Sequence, residues 1–281
     1  MAIETVTRTI YSAHISTCKL LNKPFSILPN STLNQKFSLF NSEVPNSNEY
    51  PRLGYIAIGN KGSSYETTSS GYILTTPIPH SPRHASLYNH IPFLIRPINN
   101  DISNTERAKY RLRVPISIGN NNYIAYYLRV LNLNSVTPVV QIRNVNNGVI
   151  TTNTFTSTSS DLSPTPPNLS NINLNNPSGD YLVSSALVNF VLSTNDILNI
   201  RQACQLLYGD ERYAVINEIA LVTGIDRILT GNIGSSGTIN YTECIATQIA
   251  SFISSEMYIL TENNQELSIQ LDLGSVEPLL F

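Results

Sequence analysis

The side chains equipped for chemistry form two groups: the histidines His80, His84 and His90, and the acids Asp210, Glu211, Glu218 and Asp226. His80 and His84 lie four apart, and on a helix that spacing puts two imidazoles on one face, as a zinc site requires. Pro82 stands between them and opposes a helix. A zinc site also needs a third and a fourth ligand. No Cys, Asp or Glu lies between His80 and Asp101, and Asp101 comes only after Pro92 and Pro97. The segment therefore reads as a proline-, histidine- and aromatic-rich surface packed against a partner.

The acids cluster around the run ERYAVINEIALVTGID at 211–226. Paired carboxylates serve glycoside hydrolysis, but the chain has no tryptophan to stack a sugar ring. If 213–223 is a strand, Ile216, Glu218 and Ala220 share one face. Glu218 then points to solvent or is buried and paired, with Arg201, Arg212 and Arg227 as candidate partners. A structural role is favoured, because ion-pair networks also place acids on strands. The loop GNIGSSG at 231–237 lies between an expected strand and an expected helix, where a phosphate loop sits. Its G-x-x-G-x-x-G spacing is not the dinucleotide fingerprint, and no Lys-Ser/Thr follows. It reads as a connection. No G-x-S-x-G elbow occurs, and His14 has no serine and acid partner in sight. The expectation is a chain without catalytic, cofactor-binding or metal-ligating residues, without a cofactor, and not an enzyme.

Composition narrows the class. Apolar residues make up 41% of 281, enough for a core, whereas charged residues reach only 13%, about half the usual share. A formal charge of −2 and the lack of Lys/Arg clusters argue against nucleic-acid binding. No run of about 18 apolar residues is present, so no membrane span is expected. The opening MAIETVTRTIYSAH lacks the basic and apolar regions of a secretory signal. Cys18, Cys204 and Cys244 suggest neither a disulfide framework nor a zinc site, and synthesis in a reducing cytosol fits. Sequons at Asn30, Asn168 and Asn240 arise by chance in so Asn-, Ser- and Thr-rich a chain.

The fold class expected is α+β: a β-rich N-terminal part with hairpins and long irregular segments, then a C-terminal part of order β-α-β-α-β. Residues 4–21 mix helical spacing with strand-forming Thr and Ile. Residues 52–59 read as a strand, 60–71 as a polar loop, 83–90 as a short helix and 105–109 as a polar helical turn. Hairpins are expected for 111–118 with 122–133 and for 136–143 with 149–157, the second through Asn146-Asn147-Gly148. Strand 181–192, a helix 196–208 capped within Ser193–Asn195 and stopped by Gly209, strand 213–223, helix 241–257 capped by Asn240 with Glu243, and strand 265–273 follow. Domains of 1–160 and 180–281 would be joined by a Pro/Asn-rich linker, 161–179.

Seven phrases bear on kinship: MAIETVTRTIYSAH, LPNSTLNQKF, EYPRLGYIAIGN, TERAKYRLR, YIAYYLRVL, SPTPPNL and YGDERYAVINEIALVTGIDR. Together, to about residue 230, they resemble a family of virion structural proteins of tailed bacteriophages, INEIAL being the most specific. The resemblance implies a component of a myophage-like particle, present in many copies, with no defined catalytic residues. It does not decide between baseplate, neck and capsid surface; the function expected is a structural subunit of the phage tail, in the baseplate or neck. Its partners would be copies of itself and other virion proteins, not nucleic acid or membrane. Made in the host cytoplasm, it would reside in the virion. Alternatives are a capsid-surface or head–tail connector protein, or a tail carbohydrate-binding module using tyrosines such as Tyr126 or Tyr127. Residues 22–51 and the apolar end 274–281 would serve as intersubunit arms.

Overall fold

The structure, a computed structural model, describes residues 4–67, 69–71, 73–146, 149–166, 180–260 and 266–279. Asn147 and Gly148 of the expected hairpin turn, the expected linker from 167 on with its sequon Asn168, and the last two residues of the expected C-terminal arm lie outside these. The strands are Glu4–Arg8 (β1), Arg52–Gly59 (β2), Ser63–Thr67 (β3), Ile73–Pro77 (β4), His90–Ile91 (β5), Leu94–Pro97 (β6), Tyr110–Ile118 (β7), Asn121–Val130 (β8), Val139–Asn146 (β9), Val149–Thr154 (β10), Asp180–Ser193 (β11), Val215–Asn232 (β12), Thr238–Ile259 (β13) and Glu266–Pro278 (β14). The helices are Ile10–Leu20 (α1), Leu33–Lys36 (α2), Asn104–Arg107 (α3), Ser159–Leu162 (α4) and Thr194–Tyr208 (α5). The fold is thus β-rich α+β. Among the described residues no helix is long and apolar enough to cross a membrane.

Two compact units form, 1–132 with 192–267, and 133–191 with 268–281. They do not follow the expected 1–160 and 180–281 division, because strand pairing joins the chain's two ends. Glu218 of β12 pairs with Gly59 of β2, and β1 pairs with β13. The first unit holds an eight-stranded sheet of order β1-β13-β12-β2-β8-β6, with β5 paired to β2 and β7 to β8. The middle of β12 is buried continuously from Ile216 to Gly224, so burial on both faces replaces the alternation of a half-exposed strand, with Asn217, Glu218 and Thr223 among the buried residues. Leu33, Ala57, Leu87, Tyr127, Ala203, Ala220, Val222, Ile249 and Phe252 belong to its main core. Ile15, Cys18, Phe25 and Ala246 form a second cluster.

Local signals in the first unit work as expected at several points. Ser193 and Asp196 make a reciprocal capping box for α5, and Gly209 ends it at φ 73°, the left-handed conformation glycine tolerates. Residues 4–21 satisfy both of their tendencies. Glu4–Arg8 is a strand, and Thr9 then caps α1 by accepting from the Ser12 N–H.

Other expectations are corrected. Residues 241–257 form no helix but most of β13. The register against β12 slips between Ile216 and Glu218, between Leu221 and Val222 and between Thr223 and Ile225. Each extra residue of a bulge moves the buried set of a strand by one. Every residue from Glu243 to Ile249 is buried, and across the bulge between Ile249 and Ser251 Ile249 and Phe252, three apart, enter one core cluster, so the apolar positions imitate a helix. The C-terminal order is therefore β-α-β-β-β. Residues 83–90 are turns rather than a helix, and the polar run 60–71 contains β3. Nor is 22–51 an arm. Leu33 and Phe25 are core residues, and the buried Asn34 donates to the Cys244 carbonyl at 2.9 Å and accepts from the Thr247 N–H at 2.9 Å.

The second unit is a sheet of order β10-β9-β11-β14. Arg143 of β9 reaches over to Ser185 of β11 (3.1 Å) and Asp272 of β14 (2.8 Å). Residues 274–278, expected as part of an arm, belong to β14.

A buried ion network secures β7, β8 and α3. Asp101 accepts from Tyr126 Oη at 2.8 Å and from Arg113 Nε at 3.0 Å, and pairs with Arg107 at 3.5 Å. Breaking a buried pair from one side leaves uncompensated charge. Asp101→Asn is expected to lower stability by about 3–5 kcal/mol, read as a fall in urea midpoint at constant slope.

Candidate functional site

Glu218 is fully buried at the centre of the large sheet. It is accommodated because the residue opposite it on β2 is Gly59. A side chain on Gly59 would strike the Glu218 carboxylate and the Asn89 carbonyl, and one on Gly62 would strike the Glu218 Cβ and the Asn217 carbonyl. Through the space they leave, the carboxylate meets two stretches of loop. Oε1 accepts from the N–H groups of Lys61 (3.2 Å) and Asn89 (2.9 Å); Oε2 accepts from the Tyr88 N–H (2.9 Å) and faces His80 Nε2 (3.1 Å). Asn217 continues the clamp, accepting from the Gly62 N–H at 2.7 Å and donating to Ser63 Oγ at 2.7 Å. The His80 ring lies between Phe252 (centroids 3.8 Å, 7°) and Tyr88 (4.2 Å, 22°). A proton on its Nε2 completes the carboxylate's shell.

Arg201, Arg212 and Arg227 are therefore not the partners of Glu218. They pair with Glu211, Asp210 and Glu49 respectively. Backbone amides, already fixed by the loops, fill the places that guanidinium groups would have taken. Asp226 goes to Arg111 (2.8 Å) and Tyr55 (2.7 Å), and these partners, Arg111 first among them, hold its carboxyl below the usual range against the opposing effect of burial. Glu218 and Asp226 sit eight residues apart on one strand, a separation of about 27 Å, far beyond the carboxylate spacing of a glycosidase.

The histidines divide. His80 and His84 meet, Nδ1 to Nδ1 at 3.2 Å. Burial, with His80 and Arg83 alongside, lowers the pKa of His84. His90 is separate, its Nε2 receiving the Leu87 N–H at 3.2 Å and meeting Ser86 Oγ at 3.0 Å. Among the described residues no three His, Cys, Asp or Glu side chains are placed to hold a metal ion. The 231–237 run is the hairpin turn between β12 and β13, with Gly234 and Gly237 at positive φ. No helix follows it, so no helix N-terminus faces it as a phosphate loop would need. Tyr126 and Tyr127 are buried and offer no platform to a sugar.

Two features escape the linear sequence. Glu243, expected in a helix cap, is buried on β13 and accepts from the backbone N–H groups of Leu112 (2.6 Å), Arg113 (2.9 Å) and Cys244 (2.8 Å). Burial nonetheless raises its pKa. Leu112, clamped this way, has φ 51°. The second feature is a groove of about 740 Å³ beside the Glu218 clamp, lined among others by Asn60, Lys61, Tyr65, Asn89, Tyr208 and Tyr213. No sequence motif announces it. Its signal is only the density of Asn and Tyr near the two clamped loops.

Glu218→Gln keeps the shape but turns one acceptor into a donor facing amide hydrogens. A loss of about 3 kcal/mol is expected in urea denaturation. For His90, burial pushes the pKa down to about 3, against an ordinary value of about 6.5. On acidification the unfolded chain takes up a proton that the folded chain refuses, so stability falls from about pH 6.5 toward 3, by up to about 1.4 kcal/mol per pH unit. Denaturation curves between about pH 7 and 4 are expected to show that fall and, in His90→Gln, a shallower one.

No curated protein and no solved structure matches the chain. A family model does match, over residues 1–281, and the chain belongs to that family, described as a family of unknown function (DUF7208).

Proposed function

We propose that the chain is a structural subunit of a tailed-phage virion, in the baseplate or neck, working by association with copies of itself and with other virion proteins. The observation that carries the assembly reading is the outer strand β10, VITTNT. It forms an edge of its sheet and is exposed along its length, Val149 by 62% and Ile150 by 64%. Edge strands of monomeric proteins are usually blunted by lysine, proline or a bulge. β10 has no charged residue and no proline, and its register with β9 is unbroken from Val149 to Thr154. Such an edge suits addition of a further strand, with backbone pairing giving affinity and alternate side chains giving fit. An uncharged strand meets no like-charge repulsion from a second copy of itself. The phrases resembling virion proteins support the particle; the use of Glu218 and Asp226 as scaffold supports a building block over a catalyst.

Mass photometry of the purified chain is expected to show oligomers that Ile150→Lys converts to smaller species. Mass spectrometry of purified particles from the phage encoding it is expected to find the chain in many copies. A chain that is monomeric at micromolar concentration and missing from particles would overturn the reading.

A further inference from the structure

The groove beside the Glu218 clamp is a built surface. Asn89 Nδ2 donates to Asn60 Oδ1 (2.6 Å) and to Tyr208 Oη (3.1 Å), and Asn60 Nδ2 donates to the Tyr213 carbonyl (2.9 Å). The Tyr208 and Tyr213 rings are tilted at 46° with centroids 5.1 Å apart. Tyr65 and Tyr213 are each more than half exposed. The N–H groups of Lys61 and Asn89 are held by the same Glu218 oxygen. The groove wall is thus fixed by the buried carboxylate, which spares a ligand the entropy of ordering it.

Its chemistry is specific. Tyrosine faces offer stacking area with little rotamer entropy. Side-chain amides match hydroxyl groups that both donate and accept. Among the described residues the lining includes Lys61 and Arg212 and no Asp or Glu. Arg212 is already engaged by Asp210 at 2.6 Å, which leaves Lys61 as the cation for a ligand. Single-stranded nucleic acid also stacks on tyrosine, but it calls for a basic track following the phosphates, and two cations, one of them engaged, do not make one. We infer that this groove binds an acidic oligosaccharide, with sugar rings on Tyr65 and Tyr213, hydroxyls on the Asn60 and Asn89 amides, and one carboxylate on Lys61. The site goes beyond the assembly reading and does not depend on it.

The test is calorimetric titration of the full chain with tetragalacturonate, its neutral methyl ester, a hyaluronan tetrasaccharide, sialyllactose and an oligothymidylate. At least one acidic sugar is expected to bind. Tyr213→Ala and Tyr65→Ala should each weaken it about tenfold, and Lys61→Gln about threefold, with the Lys61 effect shrinking as salt rises. Both tyrosines are exposed; thermal melting of each variant shows whether it is folded. Where Tyr213→Ala is unfolded, Tyr65→Ala decides. Silence with all the acidic sugars, equal binding of ester and acid, binding indifferent to the folded tyrosine variants, or tighter binding of the oligothymidylate would each overturn the inference.

Discussion

A carboxylate at the centre of an antiparallel sheet must be satisfied, and the way Glu218 is satisfied organises much of the first unit. An ionised group removed from water is costly unless its lone pairs are filled. Glu218 fills them with three backbone N–H groups and one imidazole, so the desolvation cost is offset by donors that themselves needed acceptors. Chain around residues 60–62 and 80–90 has few ladder partners of its own beyond the short pairings at its ends. The carboxylate stands in for the missing strand, and Gly59 and Gly62 exist in that arrangement because their missing side chains let it through.

The same device recurs one strand away. Glu243 takes the N–H groups of Leu112 and Arg113, where β7 cannot ladder directly onto β13 and Leu112 adopts a left-handed backbone. Asp101 gathers two arginines and a tyrosine hydroxyl at the other side of β8. Each is a buried acid that ties irregular chain to the sheet. The acids that most resemble a catalytic cluster in the sequence are therefore spread through the molecule, each occupied with a different piece of backbone or a different arginine.

Much of this was readable from residues alone. Caps and turns act locally, so Ser193, Gly209 and the hairpin of 111–118 with 122–133 could be placed from the chain. The short run of strand-forming residues in β2 and the helical stripe of α5 are equally clear. The helix expected at 241–257 failed for a tertiary reason. Burial on both faces removed the alternation that marks a strand, and a bulge between Ile249 and Ser251 brought Ile249 and Phe252, three residues apart, into one core. For Glu218 the sequence leaves solvent exposure and burial with a partner both open, because its partners come from 129 to 157 positions away, and no local rule specifies a contact of that separation. The groove is harder still to foresee, since its tyrosines and amides come from β3, the loops at 60–61 and 89, the end of α5 and the turn at Glu211–Tyr213.

The scarcity of charge takes on a sharper meaning once its location is known. Of a chain only 13% charged, Arg107, Arg111, Arg113, Arg201, Asp196, Glu218 and Glu243 are buried. The outer surface is poorer in charge than the composition suggests, and net charge is one of the forces that keep proteins apart in solution. A surface with little repulsion that also presents the apolar strand β10 lacks the usual guards against strand-to-strand association. In a protein whose work is to be alone, that pairing of features is a liability. In a subunit whose work is to join others it is the driving force, because removing Val149 and Ile150 from water and completing the β10 ladder act in the same direction. The groove beside Glu218 lies in the first unit and β10 in the second. Assembly through one and ligand binding at the other therefore call on separate surfaces.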